Sequence, residues 1–77
     1  MTQIDFLDMF AENLKWVMND ENVSAAELAR RSGIDKAAVS RYLKGHQMPT
    51  MRAFVNICRA LNCDYYDILP PMTSYIR

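Results

Sequence analysis

The sequence is poor in the residues that build metal sites, disulfide frameworks and phosphate loops. It has two cysteines and one histidine among 77 residues. Neither Cys58 nor Cys63 belongs to a CxxC or Cys/His pattern, so we expect reduced thiols, with no zinc site and no other cofactor. Two glycines and three prolines are too few for a Gly-rich phosphate loop or a flexible linker.

Long hydrophobic runs and a basic leader are also missing. No apolar run approaches membrane-spanning length, and the first residues are acidic rather than basic, so we expect no membrane partner, no signal peptide and a cytoplasmic location. The 51% hydrophobic content argues against disorder. The length predicts a single domain over residues 1–77, with a core over 5–69 and a short tail over 70–77.

Groupings typical of catalysis are absent as well. His46 is the only imidazole, and Ser24, Ser32, Ser40 and Ser74 have no histidine near them in sequence. The carboxylates lie at positions predicted to be helix caps or solvated faces. The sequence therefore predicts neither an enzyme nor a small-molecule substrate.

The net charge is zero, but its distribution is uneven. Residues 1–27 carry a net charge of −5, residues 28–59 carry +6 and residues 60–77 carry −1. A local positive field of this kind attracts a polyanion, whereas the low total charge predicts weak non-specific binding.

Residues 24–45 carry the most informative pattern in the chain. Ser24 can cap a helix, and Glu27, three residues later, can complete a capping box. Gly33 can end that helix in the left-handed conformation, and Asp35 can cap the next helix. Ala29 is small where the two helices approach each other. The pattern predicts a helix-turn-helix, a geometry that places its second helix in the DNA major groove.

The second helix, predicted over residues 35–44 and ended by Gly45, has two different faces. Val39, Tyr42 and Leu43 form its buried stripe. The opposite side, which carries positive charge and no acid, gathers Lys36, Ala37, Ser40, Arg41 and Lys44. A solvated surface is the usual interpretation of such a face, but its position after a tight turn favours a DNA-reading face.

Three further helices complete an all-α prediction. The first is predicted over about 3–20, the fourth over 51–61 after a Thr50 cap, and a short fifth from an Asp64 cap to Leu69, with left-handed stops at Asn22 and Asn62. The inner face of the first comprises Leu7, Phe10, Leu14, Val17 and Met18, and that of the fourth comprises Met51, Phe54, Ile57, Cys58 and Leu61.

Over about residues 10–69 the chain resembles the phage-repressor and Cro-type DNA-binding domains of bacterial and phage regulators. The matching residues are Leu28-Ala29, Gly33-Ile34, Val39, Ser40-Arg41-Tyr42-Leu43-x-Gly45, Pro49-Thr50, Ile57-x-x-Ala60-Leu61, Asp64 and Ile68-Leu69. The resemblance implies a compact, lambda-repressor-like five-helix bundle that binds operator DNA, usually as a dimer. Two departures stand out: Met18 and Leu43 occupy the positions of a frequent buried Arg–Glu pair, and Ala25 occupies that of a phosphate-binding Gln.

The candidate interface residues follow from this placement. For base contacts the candidates are Lys36, Ala37, Ser40 and Arg41. Arg41 is preferred because its guanidinium can bond guanine O6 and N7 together. For phosphate contacts the candidates are Ser24, Ala25, Lys44, His46, Gln47 and Arg52. Ala25 could contribute only through the backbone N–H groups of the helix N-terminus.

The sequence thus predicts a sequence-specific regulator of transcription, a repressor of phage or mobile-element type that binds double-stranded DNA as a homodimer. The alternative is a protein-interaction module, an antitoxin-like or anti-regulator subunit that binds through the acidic first helix with Trp16 and Met9. Two apolar surfaces are candidates for the dimer interface. One is Trp16, and the other comprises the C-terminal residues Ile68, Leu69, Met72, Tyr75 and Ile76. Equally, the tail could fold over Trp16 within one chain.

Overall fold

The computed structural model describes residues 3–70, with the side chains from residue 6 onward. Five α-helices run over Gln3–Asp20 (α1), Ala25–Ser32 (α2), Lys36–Leu43 (α3), Met51–Leu61 (α4) and Tyr65–Ile68 (α5). The described part of the chain contains no strand. The all-α, five-helix prediction is confirmed. The expectations for Met72, Tyr75 and Ile76 lie outside the described residues.

A left-handed residue follows each of the first four helices, as predicted for Asn22, Gly33 and Asn62; Gly45 was predicted only as a helix end. Asn22, Gly33, Gly45 and Asn62 have φ values of 57°, 71°, 72° and 54°. After Asn22, Gly45 and Asn62, the next N–H bonds back five residues to a helix carbonyl, at 2.9, 3.0 and 3.0 Å. This bond and the one made by the left-handed residue itself form a Schellman motif, which satisfies carbonyls that the helix leaves free.

The helix starts agree less completely with the sequence. Ser24 Oγ accepts the N–H of Glu27 at 3.1 Å, and Thr50 Oγ1 accepts that of Ala53 at 3.1 Å, so both predicted caps are confirmed. The Glu27 carboxylate instead bonds two arginines of its own helix. The predicted side-chain cap by Asp35 was wrong, since this residue makes no capping bond with its side chain.

The core lies where α1 packs against α3 and α5 while α2 packs against α3 and α4. Its fully buried side chains are Phe10, Leu14, Leu28, Val39, Ile57, Leu61 and Ile68. The Phe10 and Phe54 rings lie 6.2 Å apart, and Asn13 Nδ2 donates to the Ile68 carbonyl at 2.9 Å. These contacts join α1 to α4 and α5.

Two predicted inner-face residues lie further out than expected. Leu7 is half-buried, and Met51 is 77% exposed, so its assignment to the core was wrong. Met51 lies at the rim of an apolar surface hollow with Met48, Pro49 and Tyr65. Periodicity gives the direction of a side chain around a helix axis, but it does not show where the neighbouring helix ends.

The positions that depart from the resemblance are apolar and lie inward. Met18 is buried, and Leu43 packs against the same core cluster. An apolar pair of this kind avoids the desolvation cost of a buried ion pair.

The two cysteines are free, as expected. Cys58 is buried and Cys63 is half-buried at the end of α4. Burial raises the pKa of the Cys58 thiol and raises the pKa of Cys63 to about 12. Both thiols therefore stay protonated and poorly nucleophilic near neutral pH.

Candidate nucleic-acid interface

The turn between α2 and α3 is held by short polar bonds and an apolar plug. The Gly33 N–H donates to the Ala29 carbonyl at 3.0 Å, and the buried Ser32 Oγ donates to the Leu28 carbonyl at 2.7 Å. Ile34 packs against the core cluster. The two hydrogen bonds end α2, Ile34 anchors the turn in the core, and α2 packs directly against α3, as a helix-turn-helix requires.

Helix α3 separates a buried face from an exposed face. Ala38, Val39 and Tyr42 are 9%, 0% and 5% exposed. Of the predicted outer residues, Ser40 is half-buried and the others are exposed, namely Lys36, Ala37, Arg41 and Lys44. The structure therefore presents the four candidate base-contact residues to solvent, with Ser40 the least accessible.

The basic residues of the motif divide into two groups. Arg30 and Arg31 both bond the Glu27 carboxylate, and these hydrogen bonds lower the pKa of Glu27 to about 2. Arg31 Nη1 also lies 3.5 Å from the Ala60 carbonyl. Their charges are thus partly neutralised by a carboxylate of the same helix, although both side chains are exposed.

The second group has no such neutralisation. Among residues 6–70 no carboxylate forms an ion pair with Lys36, Arg41, Lys44 or Arg52. All four side chains are exposed. The uncompensated positive charge therefore lies on α3, on the residue after it and on the first turn of α4, where an anionic ligand can approach.

The phosphate candidates at helix starts differ in what they can offer. Ser24 is exposed at the N-cap of α2, where the helix dipole favours an anion. Ala25 packs against the core, so only its backbone N–H is available. Arg52 is exposed in the first turn of α4, two residues after the Thr50 cap.

The loop after α3 contains a contact that the sequence did not suggest. His46 and Gln47 are both exposed, but Gln47 Oε1 accepts a hydrogen bond from Arg41 Nε at 3.0 Å. From the sequence, Arg41 is predicted to contact a base and Gln47 is predicted to contact a phosphate, with no contact between the two side chains. Their spacing carries no signal for a bond, because the bond depends on the reversal at Gly45.

Other kinds of site find no support in the described residues. Within residues 3–70 no helix has the length and apolar character needed to cross a bilayer. The same part of the chain shows no cluster of His, Cys, Asp or Glu that could hold a metal ion.

The sequence of residues 14–68 matches the model of the HTH_3 family, described as helix-turn-helix. The chain belongs to this family. The match contains α2, α3, α4 and α5, and it confirms the resemblance to Cro-type domains. Comparison with curated proteins finds no match.

Solved structures share the fold of this HTH_3 domain. The HTH_3 family transcriptional regulator from Vibrio cholerae has a TM-score of 0.79 at 22% identity, covering 87% of this chain but 38% of its own. The restriction-modification controller protein C.AhdI from Aeromonas hydrophila has a TM-score of 0.77 at 21% identity, and the alignment covers 82% of this chain and 96% of C.AhdI. The hypothetical transcription factor NHTF from Neisseria has a TM-score of 0.79 at 23% identity, and the alignment covers 96% of this chain and 85% of NHTF.

Proposed function

We propose that this HTH_3 chain is a sequence-specific DNA-binding transcriptional regulator that places α3 in the major groove. The observation that carries the proposal is the exposed face of α3, where Lys36, Arg41 and Lys44 have no acidic partner among the described residues. The regulators among the solved structures of this fold support a regulatory rather than an enzymatic role.

The roles of the side chains follow from their chemistry. Arg41 donates to guanine, Lys36 contacts a base at the start of α3, Ala37 contacts a thymine methyl group and Ser40 makes a small polar contact. Lys44, Arg52, His46 and the N-terminus of α2 at Ser24 and Ala25 contact phosphates. These contacts set the register of α3 on the duplex.

The size of α3 supports a two-fold complex. Eight residues span roughly 12 Å at about 1.5 Å per residue, so one copy reaches only a few base pairs. Two copies on half-sites about one helical turn apart, roughly 34 Å, double the sequence that is read. In this proposal the dimer occupies an operator and represses by blocking polymerase, as a phage-type or mobile-element repressor does.

The test is selection of binding sites from random duplex DNA, followed by affinity measurements at low and physiological salt. Arg41→Ala should cost about 1–3 kcal/mol and relax preference at one base pair per half-site. Arg52→Ala should weaken all sequences alike and lower the salt slope by about one. Arg59→Ala, an equal charge change at an exposed residue outside the interface, is the matched control.

A second function is favoured by one observation. Trp16 is 68% exposed on α1, which carries four of the nine acidic residues and one basic residue, Lys15. In this alternative the chain binds a partner protein through α1. If the selection enriches no DNA sequence, that result would favour binding of a partner protein over the DNA-binding proposal.

A further inference from the structure

The loop after α3 is bound to α3 at its backbone as well as through a side chain. The His46 N–H donates to the Arg41 carbonyl at 3.0 Å, and the Gly45 N–H donates to the Tyr42 carbonyl at 3.1 Å. Together with the left-handed Gly45, these bonds turn the chain so that Gln47 lies beside the Arg41 side chain. The Arg41 Nε to Gln47 Oε1 bond of 3.0 Å then closes the contact.

The loop is also held from the other side. A Cβ on Gly45 would lie 3.1 Å from Asp8 Oδ1 and 3.5 Å from the Leu7 carbonyl oxygen, so the turn runs close against α1. Gln47 therefore projects from a loop that is hydrogen-bonded to α3 and runs close to α1, and it can restrict a long side chain that is otherwise free to rotate.

The bond determines which edge of the guanidinium is available. An arginine has five N–H donors in a planar fork. With Nε–H bonded to Gln47, the two Nη groups remain free at the far end of the plane, and that pair can meet guanine O6 and N7 together. Bidentate recognition requires a fixed plane, because a tilted plane loses one of its two bonds.

We infer that Gln47 is a positioning residue for sequence discrimination, which acts by orienting the Arg41 guanidinium rather than by contacting phosphate alone. This inference rests on the proposed DNA-binding function. It assigns the specificity at one base pair to two side chains, of which one need not touch DNA.

The first test needs no DNA. In the free protein, NMR measures the exchange rate of the Arg41 Nε proton, which the Gln47 bond protects. Gln47→Ala should speed this exchange, and Gln47→Glu, which keeps an acceptor at the same place, should preserve the protection. An exchange rate in Gln47→Ala equal to that of the unmodified protein overturns the inference.

The second test is a double-mutant cycle on the selected operator and on an operator altered at the base pair that Arg41 reads. Gln47→Ala should lower discrimination between the two by about two- to tenfold, the range expected for one hydrogen bond, and should change nothing further when Arg41 is already Ala. Gln47→Glu should retain discrimination even though its charge weakens binding to every DNA.

A phosphate role gives the opposite pattern. In that case Gln47→Ala weakens binding to both operators equally, and its effect adds to that of Arg41→Ala. Gln47→Glu then binds both operators more weakly than Gln47→Ala does and restores no discrimination. This result overturns the inference while the DNA-binding function stands. If the unmodified protein selects no sequence at all, the proposed function fails and the inference fails with it.

Discussion

Two glycines with nearly the same backbone conformation but different surroundings permit a matched test of what ends the helices. Gly33 and Gly45 have φ values of 71° and 72°. A Cβ at Gly33 would meet no heavy atom within 4 Å, whereas at Gly45 it would lie 3.1 Å from Asp8 Oδ1 and 3.5 Å from the Leu7 carbonyl oxygen. Alanine at Gly33 therefore probes backbone conformation alone, and alanine at Gly45 also probes the contact with α1.

The expected magnitudes follow from these contacts. Left-handed backbone costs a residue with a Cβ about 1–2 kcal/mol, and the stiffer unfolded chain offsets about 0.4–1 kcal/mol of that cost. Gly33→Ala should thus lower the free energy of unfolding by about 1 kcal/mol, or roughly 4–8 °C in Tm for a domain of this size. Gly45→Ala should lower the free energy of unfolding further than Gly33→Ala does, by up to about 1 kcal/mol. This difference is at the lower end of the cost of overpacking, because Asp8 is exposed and can move aside.

Urea and thermal denaturation followed by circular dichroism measure both losses. Asp8→Ala should remove most of the difference between the two glycine variants. Asparagine at either position should cost less than alanine, as the left-handed Asn22 and Asn62 indicate. A Gly33→Ala protein as stable as the unmodified chain would refute the backbone argument. Equal losses at both positions would refute the contribution of the α1 contact.

Three further predictions concern acid stability, helix packing and thiol reactivity. The pKa of Glu27 is about 2 in the folded protein against an ordinary 4.5, so the unfolded chain binds the proton more readily. The stability from the ion pairs of Glu27 with Arg30 and Arg31 is therefore present above about pH 4.5 and is lost as the pH falls towards 2. Glu27→Gln should flatten the pH dependence of unfolding in that window, and an unchanged acid titration would contradict this. Ala29→Leu should overpack the α2–α3 contact, cost about 1–3 kcal/mol in denaturation experiments and lower DNA affinity with it; normal melting and normal affinity would mean that the contact is misassigned. Because burial raises the pKa of both Cys58 and Cys63, iodoacetamide at neutral pH should modify them much more slowly in the folded protein than in urea, and equal rates by mass spectrometry would disprove the shielding.

The sequence by itself determined the helices and their ends. Ser24 and Thr50 cap their helices as predicted, and Asn22, Gly33 and Asn62 are left-handed stops as predicted. These features could be predicted because capping and helix-ending bonds join residues three to five positions apart, so their chemistry is complete within a short segment. Helical spacing also predicted two of the three buried residues of α3, since Val39 and Tyr42 are buried as expected, whereas Leu43 is half-buried and Ala38 is buried without having been predicted.

Only the tertiary structure decided which side chains meet when several partners are within reach. Glu27 could bond back to the helix start or forward to Arg30 and Arg31, and it takes the arginines. Met51 follows the inner stripe of α4 yet is exposed. The Arg41–Gln47 bond depends on a reversal of the chain at Gly45, where the loop packs against α1. Local spacing fixes the direction of a side chain, but the choice among partners depends on the surface that distant elements leave open, and that surface exists only in the folded bundle.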